Sequence, residues 1–488
     1  MEFKDATAMS QAIREKRISS RELVEDAIQT IEKLNPLYNA VVSKQYETAL
    51  AEADNLDRHG DEDKPFLGVP LLLKDLGQNE SGQPSTSGSR LFKASIASQT
   101  DYFVQALKNM GFLILGRTNT PEFGFKNISD SNLHGPVRLP LDRTRNAGGS
   151  SGGAAAAVAS GMVSIAAASD GGGSIRIPAS FNALIGLKPS RGRVPVGPSS
   201  YRGWQGASSN FALTRSIRDT KRLLFHLQTY QVDAPFPLAP LVKDSLFCPM
   251  TKPIKIAFSL QSPIGTLVSN DAKDAKDAVI QLLPQLEALG YEVEELKTPI
   301  LDGIEVMKAY YLMNSVETAQ MFDDIEAFIG RPMTVEDMEP MTWAIYQSGQ
   351  TIPAKLYSKV LQDWDQYSAK MATFHESYDL LLTPTVADVA PTLEQFIPTD
   401  QMVNRLLHSQ ELSMSEQQQL IWDMFEDSLA WTPFTQQANI TGQPSISLPT
   451  YHTKNGLPIG VQLTAAKGRE DILLQVAETL EVSKCWEM

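Results

Sequence analysis

Cysteine is nearly absent from this 488-residue chain, with only Cys248 and Cys485 present. Two such thiols exclude a disulfide framework and a cysteine-based zinc site. Histidine is scarce as well: His59, His134, His226, His375, His408 and His452 form no HxxxH or other ligand spacing, so no metal is expected. No run approaches the roughly 18 apolar residues of a membrane span. The N-terminus carries Glu2, Lys4, Asp5, Arg14, Glu15, Lys16 and Arg17 with no apolar stretch between them. No secretory signal is therefore read, and a cytoplasmic location without a membrane anchor is expected. Basic excess is also missing: 43 Lys and Arg stand against 57 Asp and Glu, a net charge of −14. That balance argues against a nucleic-acid footprint. No repeat of 20–50 residues and no low-complexity linker is present. Hydrophobic residues at 42% and charged residues at 20% give an ordinary soluble, globular balance.

Glycine, serine and alanine are concentrated instead, in residues 146–176, NAGGSSGGAAAAVASGMVSIAAASDGGGSIR. Two small-residue loops, Gly148–Gly153 and Gly171–Ser174, bracket an Ala-rich run and a short apolar run. Ala154–Ala159 predicts a helix, Gly161 its stop, and Val163–Ala168 a buried strand. A strand returning beside that helix brings the second loop next to the first, so that Ser150 and Ser174 face each other. A hydroxyl needs a base to become a nucleophile, and no histidine lies within the stretch. A lysine serves if burial lowers its pKa. Lys74 closes the apolar run Val69–Leu73 and is the candidate. Gly171, Gly172, Gly173 and Ser174 offer backbone N–H groups suited to an oxyanion hole.

GGSSGG, GGSIRIP and GLKPSRGRVP (186–195), with the strand-end lysine upstream, resemble the amidase signature family. GRTNTPEFG (116–124), DLLLTPT (379–385) and NITGQPSISLP with GLPIGVQL (439–463) extend the resemblance over nearly the whole chain. Within the family, the tail GREDILLQVAETLE and the segment GRPMT (330–334) are similar to 6-aminohexanoate cyclic dimer hydrolases. The resemblance implies an amidase acting on a non-peptide, small peptide-like or oligomer amide, with a Ser–cis-Ser–Lys triad. Ser174 would be acylated, Ser150, on a cis peptide, would relay the proton, and Lys74 would be the ultimate base. No cofactor is implied. The partner is a small-molecule amide, and a homodimer is left open. One departure stands out: the family's usual TDTGGS is SDGGGS here. Gly171 replaces a residue with a side chain, and Ser169 keeps a hydroxyl where threonine is usual.

Other readings compete. Gly149–Gly153 also satisfies the G-x-S-x-G elbow of α/β-hydrolases, with Ser151 as nucleophile. That motif needs a strand directly before it, and Leu141–Ala147 is not one. An A subunit of a tRNA-dependent amidotransferase shares the triad, but such subunits usually carry Gln where Ile177 stands. A non-catalytic binding protein on the same fold is the third alternative. Asp75 and Asp170 are read as structural acceptors, and Arg176 either as the partner of a buried carboxylate or as a substrate-binding residue. Tyr310 and Tyr311 are candidates for a pocket wall.

The fold class expected is α/β: one large domain over 1–488, a mixed sheet covered by helices on both faces. Residues 1–60 supply N-terminal helices, 65–190 the catalytic core, 190–440 the substrate-pocket region and 440–488 the C-terminal strands and helix. A mainly apolar pocket is expected from 190–440. Helices are predicted at Ser19–Leu34, with a Ser19/Glu22 capping box, and at Gln45–Asp57, Tyr102–Met110, Asp271–Leu289, Pro353–Ser377 and Glu470–Leu480. Strands are predicted at Pro65–Leu73, Phe112–Leu115, Ile254–Ser259 and Tyr378–Leu382, with a hairpin of Ser445–Leu448 and Ile459–Leu463. Gly116–Gly124 reads as a loop, Asp244–Pro253 as a seam, and Glu317–Trp343 as irregular.

Overall fold

A computed structural model describes residues 3–60, 63–249, 252–265 and 272–486. Its strands are β1 (Val41–Lys44), β2 (Pro70–Lys74), β3 (Leu113–Thr118), β4 (Ala166–Asp170), β5 (Ile185–Lys188), β6 (Ser209–Thr214), β7 (Lys255–Phe258), β8 (Glu292–Glu295), β9 (Leu380–Pro384), β10 (Ser445–His452) and β11 (Pro458–Ala465). All 11 join one sheet in the order β1-β3-β2-β4-β6-β5-β10-β11-β9-β7-β8. β3, β2 and β4 run parallel, as do β9, β7 and β8, while the strands from β4 through β9 pair antiparallel. The expected mixed sheet is thus present. β2, β3 and β4 are buried along their whole length, which explains their continuous apolar runs. β8, sequence EVEE, lies at the sheet edge and carries the charge that guards an open edge.

The organising stretch folds as a helix and a returning strand. Gly152–Ala159 is helical and fully interior through Val158. Gly161 takes φ +82 just past its end. The strand that follows is Ala166–Asp170, starting three residues later than Val163. Apolarity alone does not fix where ladder pairing begins; here Ala166 pairs with Leu213 and Asp170 with Ser209.

Several predicted boundaries move. The first capped helix keeps its Ser19–Glu22 box but runs through Pro36 to Tyr38. Pro36 sits in the last turn, where a lost N–H costs one bond, and Asn39 in the left-handed region donates back to Asn35 O at 2.8 Å. β2 begins at Pro70, not Pro65, and Gly116–Thr118 extend β3 rather than starting a loop. Asp271 lies outside the described residues; its helix is seen from Lys273 to Ala288. The seam at 244–253 contains a short helix, Lys243–Phe247.

Glu317–Trp343 is largely helical, contrary to expectation. Gly303–Ile329 is one helix, capped by Asp302 and stopped by Gly330 at φ +76, and Pro340–Gln350 is another. The first packs apolar residues on several faces, from Val306 and Met307 to Phe322, so its sequence shows no single stripe. β6 and the Ile217–Leu227 helix were also not foreseen.

Candidate active site

Lys74 ends β2 and is completely buried. Its backbone is fixed on both sides: the N–H donates to Gln78 Oε1 at 2.8 Å, and the carbonyl accepts from Arg117 Nη1 at 3.0 Å. Its Nζ lies 2.7 Å from Ser150 Oγ and 3.0 Å from Ser169 Oγ. Burial strips water from the amine and lowers its pKa to about 7, against a weaker opposing pull from the Asp170 charge. An amine at that value is substantially neutral at physiological pH.

Ser150 follows a cis Gly149–Ser150 peptide bond. The two small-residue loops meet where Ser151 N–H donates to Ser174 O at 3.3 Å. Ser150 and Ser174 both face one cleft. The neighbouring hydroxyl is otherwise engaged: Ser151 Oγ donates to Ser169 O at 3.1 Å and accepts from Ser169 N at 3.4 Å, tying the first loop to β4.

The second loop is shaped by Asp170. Its carboxylate accepts from Gly173 N at 2.7 Å, Ile175 N at 3.2 Å and Asn439 Nδ2 at 2.8 Å. Arg176 closes on it in a fork, Nε to Oδ2 at 2.9 Å and Nη2 to Oδ1 at 3.0 Å. Burial alone would raise the Asp170 pKa; the Arg176 guanidinium and the Asn439 amide outweigh it and hold the carboxyl well below its usual range. Arg176 and Asp170 thus form a buried structural pair. Gly173, at φ +135, has no room for a Cβ, which would lie 2.3 Å from Thr435 Oγ1. Because the Gly173 N–H is spent on Asp170, the four expected loop donors reduce to three. Among the described residues, the N–H groups of Gly171, Gly172 and Ser174 have no partner. Their carbonyls are anchored instead: Gly171 O accepts from Tyr310 Oη at 3.0 Å and Gly172 O from Thr435 Oγ1 at 2.6 Å.

Asp75, next to Lys74, turns away from it. Its carboxylate accepts from Thr86 N at 3.0 Å and from the Thr86 hydroxyl, with His134 Nε2 at 3.7 Å. Ser169, Gln78, Thr435 and Asn439 support the site without having been assigned to it from sequence. Ser169 belongs to the SDGGGS motif and Asn439 to NITGQPSISLP, whereas Gln78 and Thr435 belong to no motif.

Two spaces adjoin Ser174. A cleft of about 1050 Å³ is lined by Ser150, Ser169, Gly171 and Ser174, and by parts of 76–103, 191–210 and 317–325. An inner cavity of about 40 Å³ is lined by Gly172 and Ser174, by the aromatic rings of Phe125, Trp204, Tyr310, Tyr311 and Phe425, by Met307, Ile345 and Ile421, and by the amides of Asn127, Asn314 and Gln436. Most of its wall comes from 190–440, including both tyrosines; Gly124, Phe125, Asn127, Gly172 and Ser174 come from outside that region.

This fold is that of amide-bond hydrolases. The family model described as Amidase matches residues 22–474, and the chain belongs to that family. It is 39% identical over 482 residues to a lipoamidase of Enterococcus faecalis, an alignment covering 98% of this chain but 63% of that protein. The chain therefore spans less than two thirds of that relative. It is 32% identical over 493 residues to a 6-aminohexanoate-cyclic-dimer hydrolase of Paenarthrobacter ureafaciens, covering 99% and 95% of the two chains. The structure of a 6-aminohexanoate cyclic dimer hydrolase complexed with substrate superposes with a TM-score of 0.87 at 32% identity, over 99% of this chain and 97% of that one. A bacterial aryl acylamidase structure superposes at 0.84 with 27% identity, over 99% and 96%. Among the described residues no helix is long and apolar enough to cross a membrane, and no group of three or more His, Cys, Asp or Glu is placed to hold a metal ion.

Proposed function

We propose that the chain hydrolyses a neutral carboxylic amide through an acyl-enzyme on Ser174, with Ser150 relaying the proton and Lys74 as the base. The observation that carries this reading is the Lys74–Ser150 contact of 2.7 Å in a completely buried setting. An amine kept neutral by desolvation accepts a proton from Ser150, which takes one from Ser174. Ser174 Oγ attacks the amide carbon. The N–H groups of Gly171, Gly172 and Ser174 meet the developing oxyanion from a loop whose carbonyls are already held, so little rearrangement is needed. Lys74 returns the proton through Ser150 to the departing amine. Water then cleaves the ester on Ser174 and restores the serine. No metal or cofactor takes part in this sequence.

The loop recognises the reacting amide and little else, so selectivity falls to the walls. The aromatic inner cavity favours an apolar acyl group, and apolar walls separate chains at about 1–3 kcal/mol per methylene while rejecting charge. Hexanamide and benzamides should be turned over faster than acetamide or free glutamine. The names of the relatives, a lipoamidase and a 6-aminohexanoate-cyclic-dimer hydrolase, fit such a substrate. The test is a hydrolysis panel across these amides, with mass spectrometry of enzyme quenched on a slow substrate. An adduct on the peptide bearing Ser174, absent in Ser174→Ala, is expected. An adduct on Ser151 restores the elbow reading, and a higher kcat/KM for glutamine favours the amidotransferase-like alternative.

A further inference from the structure

Gly171 leaves an unfilled side-chain position in the loop that carries Ser174, and one residue occupies that space. A Cβ placed on Gly171 would lie 2.6 Å from Cζ3 and 2.7 Å from Cε3 of Trp204. The indole therefore sits directly against the loop. It stacks on Phe125, with ring centroids 6.0 Å apart and planes 5° from parallel, and meets Tyr310 edge-on at 6.2 Å. The Trp204 backbone is held too. Trp204 and Gln205 take φ +52 and +51, and Gln205 Nε2 donates to Glu317 Oε1 at 2.9 Å on the Gly303–Ile329 helix.

Phe125 and Trp204 line both the inner cavity and the outer cleft. The stacked pair stands where the two spaces meet, beside Gly124 and Ser174. Ser174 opens to both spaces, whereas Ser150 and Ser169 line the cleft alone. A leaving amine must stand beside the group that protonates it. With Ser150 in that role, the amine half of the substrate lies in the cleft and the acyl half points into the inner cavity. The cleft has room for a large, polar amine. The inner cavity, at about 40 Å³, is far smaller than the cleft and suits a short acyl chain.

We infer that Trp204, seated on Gly171, is the partition that sets the length of the acyl group this site takes. The inference rests on the reading of Ser174 and Ser150 given above. The substrate class is then a short-to-medium neutral acyl amide of a bulky amine. Longer chains meet the indole, and the glycine is the condition for the indole's position.

The test uses the full chain and p-nitroanilides of straight-chain acids from two to twelve carbons. Trp204→Ala should raise the decanoyl-to-butanoyl ratio of kcat/KM at least tenfold, and Trp204→Phe by less. Gly171→Ala should lower kcat/KM for the butanoyl anilide more than tenfold in the wild-type background and by no more than a few-fold when combined with Trp204→Ala. A ratio unchanged in folded Trp204→Ala or Trp204→Phe, with folding checked by thermal melts, overturns the inference. So does a Gly171→Ala loss equal in both backgrounds. Failure of the underlying reading looks different: the wild type then hydrolyses none of the series, or Ser174→Ala keeps the wild-type rate.

Discussion

The rate of amide cleavage should rise with pH through about 7, and Lys74 should own that limb. The usual lysine value is 10.5, and burial brings this one to about 7. The difference corresponds to about 5 kcal/mol between the two protonation states. At pH 8 the neutral fraction is then about 0.9, against about 0.003 for an unshifted amine, a gain of about 300-fold in competent base. The assay is kcat/KM for one anilide from pH 5.5 to 9.5. A slope of one below pH 7 and a plateau above it are expected, and Lys74→Ala should remove the limb with most of the activity. Lys188 needs a control. It too is buried and brought to about 7, chiefly by desolvation and then by the Arg176 charge, and its Nζ donates to Pro189 O at 2.9 Å. Lys188→Met should leave the limb in place. Stability carries the opposite face of the same shift. The unfolded lysine holds its proton up to 10.5 while the folded one releases it near 7, so folding gains about 1.4 kcal/mol per pH unit across that window from Lys74 alone. The burial penalty is therefore largest below pH 7, and Lys74→Met should melt higher than wild type at pH 6. A pH limb that survives in Lys74→Ala, or that moves with Lys188→Met, refutes the assignment.

Two further outcomes follow from the same geometry. Asp170→Asn leaves the Arg176 guanidinium buried without its counter-charge and should cost about 3–5 kcal/mol, read as a lowered denaturant midpoint. Ser151→Ala removes only the pair of bonds to Ser169, so it should cost about 1 kcal/mol of stability while keeping most activity in the anilide assay; a collapse of kcat to the level of Ser174→Ala contradicts that.

The parts of the site made of small residues were legible in the sequence because their composition is their function. Glycines and serines crowd where backbone must approach backbone, and the Ala-rich helix with its returning strand sets the two loops side by side. The lysine was legible as the charged end of an apolar strand. Of the side walls, Tyr310 and Tyr311 were legible and the rest was not. Phe125 and Trp204 lie in loops without periodicity, and their stacking joins segments far apart in the chain. Arg176 advertised a buried partner, but nothing in sequence assigned Asn439, in the C-terminal part of the chain, to the same carboxylate. The Gly303–Ile329 helix was hidden for a related reason. A helix that touches the pocket, a neighbouring helix and a second aromatic cluster has no polar face over half its length, so its period disappears.

The charge arrangement beneath the site explains how a lysine remains usable there. Asp170 is the negative charge that favours the protonated form of Lys74. It is also needed to hold the Ser174 loop, through Gly173 and Ile175. An unpaired carboxylate in that place would organise the loop and draw the lysine toward its charged form, which cannot act as the proposed base. Arg176 separates the two effects. Its fork engages Oδ1 and Oδ2, and its remaining donors go to Thr435 O at 2.8 Å, Gln462 Oε1 at 3.2 Å and Asn439 Oδ1 at 2.6 Å. The carboxylate keeps its hydrogen bonds to the loop while much of its field is cancelled locally, and desolvation then decides the state of Lys74. The Ser174 loop and the proposed base, Lys74, are thus tuned by one ion pair, with Asp170 before the serine and Arg176 two residues after it.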